Sequence, residues 1–381
     1  MVRIKRQRGR ICLGRTVFAA LVCLLIGLAI GCDSHKPIKV GFVGGLTGRL
    51  SDLGIAGRNG VILAVDEINQ TGGIHGRRVE LIAKDDRQDP RAAVKADREL
   101  IEAGVAAIIG HMTSSMSVAA VPLINQARMV MISPTTSTDK LSGRDDYFFR
   151  VTQPNRFQAE QLASLAGSRM HLSRIAAICD LSNRPYSENM VRHFQAELKG
   201  HGGQLVTTVT FTSGPRVSFP QLAQQALTDK PDGLFILAGA LDAALICQHV
   251  RLIAPQIPIF SSAWAMTDDF IQHGGPAVEG VLFSQSTGQE VKTPQNLAFN
   301  KRFADRFGHP PNFAARLGYE SARVLFQALA VDDDPARLRE TIVRLGRIES
   351  VGGPITFDRF GDPKRGRAIM TVRQGKFEVV E

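Results

Sequence analysis

The sequence predicts an α/β fold of two lobes, each built on a parallel β-sheet. Short apolar runs rich in β-branched residues alternate with longer segments whose apolar residues recur at helical spacing. This alternation begins at Ile38 and starts afresh after Arg150. The chain also has 381 residues, 44% of them hydrophobic, which is enough to bury two separate cores.

The first lobe is predicted from a regular succession of strands and helices. The apolar strands end at glycine or polar residues, and the helices keep their apolar residues on one face. In chain order these elements are strand Ile38–Val43, helix Gly57–Asn69, strand Val79–Ala83, helix Pro90–Ala103, strand Ala106–Ile109, helix Met116–Ile124, strand Met129–Ile132 and strand Tyr147–Arg150.

The second lobe repeats the same pattern. Its predicted elements are helix Phe157–Ser168, strand Arg174–Ile178, helix Ser187–Lys199, strand Gln204–Val209, helix Phe219–Leu227, strand Gly233–Leu237, helix Ala243–Ile253 and strand Ile257–Phe260. No short-period repeat or low-complexity tract interrupts it.

The last third of the chain has too few strands for a third domain. We expect its helices to cover the first lobe and its final strands to cross back to the second. These elements are strand Val281–Ser284, helices Gln295–Phe307, Ala314–Ala330 and Pro335–Leu345, and strands Ile369–Val372 and Phe377–Val380.

Two clusters of hydroxyl residues follow two of the first-lobe strands. One is Thr113, Ser114 and Ser115, at the start of a predicted helix, and the other includes Thr135, Thr136 and Ser137. Unpaired N–H groups at a helix start, together with hydroxyl donors, form a cradle for an anion, and parallel sheets hold ligands at this edge. The alternative is that Ser114 only caps its helix, which explains one cluster better than two.

The excess positive charge lies mostly at the N-terminus. The net charge is +10, but six of the 46 basic residues and none of the 36 acidic residues precede Cys32, so the remainder carries +4. This balance gives no strong electrostatic case for nucleic-acid binding.

The N-terminal residues resemble a bacterial lipoprotein signal. A basic segment precedes Val17–Ile30, an uncharged run of 14 residues that is shorter than a membrane span. The sequence Ile30, Gly31, Cys32 is similar to a lipobox, although Ala29 replaces the more usual leucine. We therefore expect a signal peptide at residues 1–31, a lipid anchor on Cys32, a tether at residues 32–37 and, because Asp33 follows, retention at the inner membrane.

Few residues suggest catalysis or metal binding. Cys179 and Cys247 fall in apolar elements and are interpreted as buried hydrophobes, and Asp85 and Asp86 are expected to fix a turn rather than hold a metal. His111 lies beside the cradle but has no activated nucleophile nearby. Since GxSxG, P-loop and HExxH motifs are absent from the sequence, we expect no enzyme, no cofactor and no metal.

Four segments together resemble the type I periplasmic binding proteins of the leucine/isoleucine/valine class. They are Val65–Pro90, Ala106–Ser115, Met131–Thr138 and Ala277–Ser284. The resemblance implies two doubly wound, Rossmann-like lobes joined by three hinge crossings near Thr152, Gln285 and Gly352. Lobe I would comprise residues 38–152 and 286–351, and lobe II residues 153–285 and 352–381.

The resemblance also implies which residues bind the ligand. Ser114 matches the serine that holds the ligand carboxylate, Thr135 and Ser137 match further contacts beside Ser115 and Thr136, and Tyr186 matches a tyrosine of the second lobe. Asn155 and Trp264 stand where relatives have acids for an α-ammonium group, and Leu53 stands where an aromatic residue is usual. The alternative to ligand binding is that Tyr186 is a surface loop residue and that Trp264 only fills space in a core. A disulfide of some relatives is absent, with Gln88 and Thr113 in its region.

These matches predict a solute receptor of an ABC importer that binds a small carboxylate-bearing compound. An aromatic or branched acid is favoured, and an amino acid is the alternative solute. Its partners would be a permease and its ATPase subunits, with the membrane reached through the lipid. The alternative is a receptor that reports the same ligand to a signalling partner. A transcription repressor of the same fold would need a DNA-binding helix pair at its N-terminus. The predicted leader occupies that place, so we do not expect a repressor.

Overall fold

A computed structural model describes residues 36–286 and 293–380. The predicted signal peptide, Cys32 and most of the tether lie outside these described residues. No helix within the two ranges combines the length and apolar composition needed to cross a membrane.

The first sheet has five parallel strands in the spatial order β2-β1-β3-β4-β5. The strand that follows β1 in the chain lies on one side of it, and β3 to β5 lie on the other side. Because the strand order reverses between β1 and β3, a crevice opens there at the carboxyl edge of the sheet. The strands are β1 (Ile38–Gly44), β2 (Val79–Asp85), β3 (Ile108–Ile109), β4 (Met131–Ser133) and β5 (Phe148–Arg150).

The second sheet has seven strands in the order β15-β14-β10-β9-β8-β6-β7. Its five parallel strands, β6 to β10, repeat the order of the first sheet, while β14 pairs antiparallel with both β10 and β15. The final strands therefore join the second sheet, as the sequence predicts. The strands are β6 (Arg174–Asp180), β7 (Gln204–Phe211), β8 (Gly233–Leu237), β9 (Ile259–Ser262), β10 (Leu282–Ser286), β14 (Arg367–Arg373) and β15 (Lys376–Val379).

Helices connect most of the parallel strands in both sheets, and the sequence marks several of their starts. Asp89 accepts hydrogen bonds from the N–H groups of Arg91 and Ala92, and Pro90 occupies the first helical position. The helices are Ser51–Gln70, Pro90–Glu102, Ser114–Ala127, Arg156–Ser164, Arg184–Gly200, Phe219–Leu227, Ala240–Ile253, Asp268–Gly274, Pro294–Phe307, Phe313–Val331 and Leu338–Leu345.

The C-terminal helices cover the first lobe, as expected. Helix Phe313–Val331 packs along helix Ser51–Gln70 at backbone contact. A Cβ atom on Gly318 would lie 2.2 Å from the carbonyl oxygen of Gly57, and one on Gly60 would lie 1.9 Å from that of Ala315. Only glycine permits this approach.

A small third sheet lies beside β5. It consists of β11 (Arg347–Ile348), β12 (Ile355–Phe357) and β13 (Pro363–Lys364) in an antiparallel arrangement. The Phe357 ring meets the Phe149 ring edge-on at 6.0 Å, and Asp362 lies 2.7 Å from Arg150. These contacts favour a third crossing nearer Arg367 than the predicted residue 352, and we propose that boundary.

Some element boundaries differ from the prediction. The first helix begins at Ser51, six residues before the predicted Gly57, because its first turn lies against the loop after β1. A Cβ atom on Gly54 would lie 2.0 Å from the carbonyl oxygen of Gly45. This close approach depends on tertiary packing and leaves no periodic signal in the sequence. Likewise, the predicted helix Pro335–Leu345 divides into a 3-10 turn and a shorter α-helix.

Several polar residues at the first sheet's edge have structural roles. Asp85 accepts hydrogen bonds from the N–H groups of Leu46 and Arg87, and Asp86 accepts one from Gln88, so both fix turns as predicted. Thr113 donates to the Gln88 side-chain carbonyl oxygen at 3.1 Å. Cys179 and Cys247 are buried free thiols, which confirms their interpretation.

His111 is fully buried between two carboxylates. Its Nδ1 lies 2.8 Å from Asp86 Oδ2 and its Nε2 lies 3.2 Å from Asp97 Oδ2. Burial alone would lower the pKa of His111, but Asp97 and Asp86 outweigh it and raise that pKa to about 10. A protonated imidazole with both nitrogens engaged stabilises the fold and is not placed to act as a base.

The packing of Gly318 predicts that alanine at this position destabilises the protein, whereas helix propensity alone predicts that alanine stabilises it. Gly318→Ala should lower the free energy of unfolding by about 1 to 3 kcal/mol or more, because the new methyl group overlaps a backbone carbonyl. Gly200→Ala is the matched control, since a Cβ atom there meets nothing within 4 Å. Urea unfolding that shows equal effects for the two variants would contradict the close helix contact.

The raised pKa of His111 predicts a pH-dependent contribution to stability. Since the folded pKa of about 10 exceeds the ordinary 6.5, this stabilisation is complete below about pH 6.5 and is lost as the pH rises through about 10. The difference in unfolding free energy between the wild type and His111→Gln should therefore shrink over this range. His201→Gln, at a surface histidine, is the control, and a difference that stays constant with pH would disprove the assignment.

Candidate functional site

A cavity that is partly open to solvent lies where the carboxyl edges of the two sheets meet. Its walls come from the segments that follow β1, β3 and β4, from those that follow β6 and β9, from the chain crossings and from the start of helix Phe313–Val331. Its lining residues are Leu53, Met112, Ser114, Thr135, Ser137, Thr152, Gln158, Asn183, Tyr186, Ala263, Trp264, Gln285, Ser286, Phe313, Arg316 and Leu317. Six of the nine predicted ligand-binding residues are among them.

Ser114 is not the cap of its helix. Thr113 is the N-cap residue, and Ser114 is the first helical residue. The Ser114 hydroxyl oxygen accepts hydrogen bonds from the N–H groups of Ser137 and Thr138, each at 3.3 Å. Its own hydrogen therefore remains available to a ligand, and the helix-cap alternative is wrong.

The second hydroxyl cluster has divided roles. Thr135 and Ser137 line the cavity, and the Thr135 hydroxyl donates to the carbonyl oxygen of Met112. Thr136 lies beneath the loop, 2.7 Å from the Ser117 hydroxyl, and is not among the lining residues. Thr136 thus supports the loop, while Ser137 presents its side chain to the cavity.

Tyr186 and Trp264 form an aromatic wall on the second lobe. Their rings meet nearly edge-on, with centroids 5.9 Å apart, and both residues are buried. The Tyr186 hydroxyl approaches Ser262 without the geometry of a hydrogen bond. Burial raises the pKa of Tyr186 to about 12, so its phenol is a neutral donor. Both residues line the cavity, unlike a surface tyrosine or a purely core tryptophan.

Two other predicted residues lie next to the cavity without lining it. Asn155 is fully buried and donates to the backbone carbonyl of Tyr186 at 3.2 Å, so it positions that residue. Ser115 bridges the lobes: its N–H donates to Asn183 Oδ1 at 3.0 Å, and its hydroxyl donates to the carbonyl oxygen of Ser182. Direct ligand contacts from both residues remain predictions.

Several lining residues were not found from the sequence, and Arg316 is the most distinctive. It is buried in helix Phe313–Val331, with Nη1 3.2 Å from Glu320 Oε1. Burial alone would raise the pKa of Glu320, but Arg365 and Arg316 outweigh it and lower that pKa to about 2. The sequence signal that could have identified Arg316 is its spacing of four residues from Glu320 within an otherwise largely apolar helix, which indicates a buried ion pair.

None of the described residues that line the cavity is Asp or Glu. Arg316 alone among them carries a formal charge, and it is paired with Glu320, which does not line the cavity. Asp242 is a buried acid of the second lobe that does not line the cavity, and its carboxylate is held by Arg49 at 2.5 Å. The described ranges also contain no cluster of three or more His, Cys, Asp or Glu side chains suited to a metal ion.

Comparisons with known proteins agree with this architecture. Residues 37–377 match the family model of the periplasmic binding proteins. The "Leu/Ile/Val-binding protein homolog 2" of Brucella abortus is 26% identical over 356 residues, covering 92% of this chain and 94% of that protein. The Leu/Ile/Val-binding protein of Escherichia coli is 24% identical over 353 residues, with coverage of 92% and 94%.

Solved structures show the same fold. A leucine-binding protein from Thermotoga maritima superposes with a TM-score of 0.84 at 25% identity, covering 90% of this chain and 98% of that one. A solute-binding protein of an ABC transporter from R. palustris, solved with benzoate, superposes with a TM-score of 0.82 at 21% identity, with coverage of 90% and 95%. The chain is therefore a member of the type I periplasmic binding protein family, in the class of the leucine/isoleucine/valine-binding proteins.

Proposed function

We propose that this protein is the receptor of an ABC importer and that it binds a small carboxylate lacking an α-ammonium group. Family membership implies a solute-binding role in the periplasm. The permease and its ATPase subunits are the partners that this role requires.

The observation that carries the proposal is the charge of the cavity wall. An α-amino acid brings a carboxylate and a cation, and burying an ammonium without an anion is costly. The described lining residues include hydroxyl donors at Ser114 and Ser137 and a guanidinium at Arg316, but no carboxylate. Hydrogen bonds from such donors to a carboxylate are charge-assisted and strong. The wall therefore complements an acid better than a zwitterion.

The aromatic wall favours an apolar or flat tail on that acid. Edge-to-face and stacked ring contacts contribute about 0.5 to 1.5 kcal/mol beyond area burial. The relative from R. palustris that was solved with benzoate has the same fold, so the fold accommodates an aromatic acid. We propose an aromatic or branched acid as the solute of this chain.

The proposal extends to the N-terminus. The IGC sequence and the short apolar run of the leader support a lipid anchor on Cys32, which would hold the receptor at the inner membrane near its permease.

The decisive test compares two solutes that differ only in the ammonium group. In calorimetric titrations of the purified protein, 4-methylpentanoate should bind at least tenfold more tightly than leucine, because the ammonium of leucine would be buried without an anion. Benzoate and phenylpropanoate, compared with phenylalanine, test the aromatic case. Emission from Trp264, the only tryptophan, should shift on binding. Tighter binding of leucine would refute the proposed solute class while leaving the receptor role intact.

Two serine variants locate the carboxylate in the same titration. Ser114→Ala should weaken binding of the preferred acid by about tenfold or more, because a charge-assisted hydrogen bond contributes about 1.5 to 3 kcal/mol. Ser117→Ala is the matched control: it removes a buried hydroxyl from the same helix, but that hydroxyl bonds Thr136 away from the cavity. Equal losses of affinity for both variants would place the carboxylate elsewhere.

The lipid anchor predicts a covalent label at one position. Cells grown with radiolabelled palmitate should incorporate it into the wild-type protein, and Cys32→Ser should abolish the label and release the protein from the membrane fraction. Cys23→Ser, which changes a cysteine inside the leader, is the control and should leave the label unchanged. Equal labelling of wild type and Cys32→Ser would exclude this anchor.

A further inference from the structure

A four-residue segment of the first lobe, residues 49–52, docks onto the second lobe outside the cavity. Arg49 donates from both Nε and Nη2 to Asp242 Oδ1, at 2.7 and 2.5 Å. The Arg49 guanidinium also lies 5.7 Å from the centroid of the Phe219 ring. Phe219 and Asp242 belong to two helices of the second lobe, so this one side chain spans the cleft.

The carboxylate of Asp242 depends on this contact. Its side chain is completely buried, and its Oδ2 atom has no hydrogen-bond partner among the described residues. Asp242 lies in the first turn of helix Ala240–Ile253, where the helix dipole favours a negative charge. A buried carboxylate without a partner is strongly unfavourable. In the arrangement of this structure, which we call closed because the two lobes are in contact, Arg49 is the partner that offsets this desolvation.

Packing and a second hydrogen bond reinforce the same docking. A Cβ atom on Gly239 would lie 2.5 Å from the Leu50 side chain and 3.7 Å from the Trp264 ring, so Leu50 fits against bare backbone beside the aromatic wall. Thr267 donates to Asp52 Oδ2 at 2.5 Å. The next residue, Leu53, lines the cavity. Docking of residues 49–52 thus fixes a part of the cavity wall.

We propose that residues 49–52 form a lock between the lobes, in which the Arg49–Asp242 ion pair favours the closed cleft independently of the solute. Opening the cleft separates the two charges, and closing it restores the pair whether or not the cavity is filled. The lock adds to retention of any solute, while the cavity wall selects which solute enters. This inference relies on the solute-binding fold and not on the proposed carboxylate.

Arg77 provides a matched control for the loss of the Arg49 charge. Arg77 pairs with Asp333 at 3.1 Å, and its side chain is 30% exposed compared with 31% for Arg49. Residues 77 and 333 lie at the same end of the first lobe, so this pair does not cross the cleft. Arg77→Ala removes an equally exposed arginine without touching the second lobe.

The lock is tested on solute-free protein by measuring its radius of gyration with small-angle X-ray scattering and the fluorescence emission of Trp264. Trp264 is 6% exposed in the closed arrangement. Arg49→Ala and Asp242→Asn should each increase the radius of gyration and shift the emission to longer wavelength, and Arg49→Glu should do so more strongly. Arg77→Ala should match the wild type in both measurements.

Two results would overturn the lock. One is identical scattering and emission for wild type, Arg49→Ala and Asp242→Asn, which includes the case of a wild type already open without solute. The other is an equal shift in Arg77→Ala. Circular dichroism checks that each variant is folded, and if Arg49→Glu fails this check the two milder variants decide the question. Because no solute is added, failure of the proposed solute class leaves this test unaffected.

Discussion

The buried carboxylate of Glu320 holds together the region where the chain passes between the lobes. It accepts hydrogen bonds from Arg365 at 2.5 Å, Ser350 at 2.6 Å and the N–H of Gly352 at 2.8 Å, and it pairs with Arg316. Arg365 also donates to the carbonyl oxygens of Val151 and Gly352. A buried charge is costly unless it is paired and hydrogen-bonded, so the network fixes two chain crossings relative to helix Phe313–Val331. The position of Arg316 in the cavity wall follows from it.

The two sheets share one strand order, and this symmetry explains the division of labour in the cavity. Each sheet has its switch point at the carboxyl edge, and the two edges meet. The first lobe contributes hydroxyl groups near a helix start, which suit an anion. The second contributes rings, which suit an apolar surface. This division of labour is the basis of the solute class proposed above.

The two proposals give selection and retention different physical origins. In the proposed function, selection depends on the charges and donors that touch the solute, and a cation is disfavoured because it would be buried without an anion. In the proposed lock, retention depends on contacts between the lobes themselves. These lie on both sides of the cleft, since Asp139 contacts His193 at 2.6 Å and Thr138 donates to the carbonyl oxygen of Pro185 at 3.0 Å. Such contacts are made by the protein alone, so they need not change when the solute does.

The sequence alone determined the order of strands and helices, because hydrophobic periodicity is a local property of the chain. It also indicated the two hydroxyl clusters and the aromatic residues of the second lobe, since these follow recognisable strands. Only the tertiary structure decided what each polar side chain does. Ser114 accepts N–H groups from residues more than twenty positions away, Asn155 supports Tyr186 instead of lining the cavity, and Asp242 is occupied by Arg49. These roles depend on which atoms fill a group's hydrogen-bonding positions across the fold, and no local pattern encodes that.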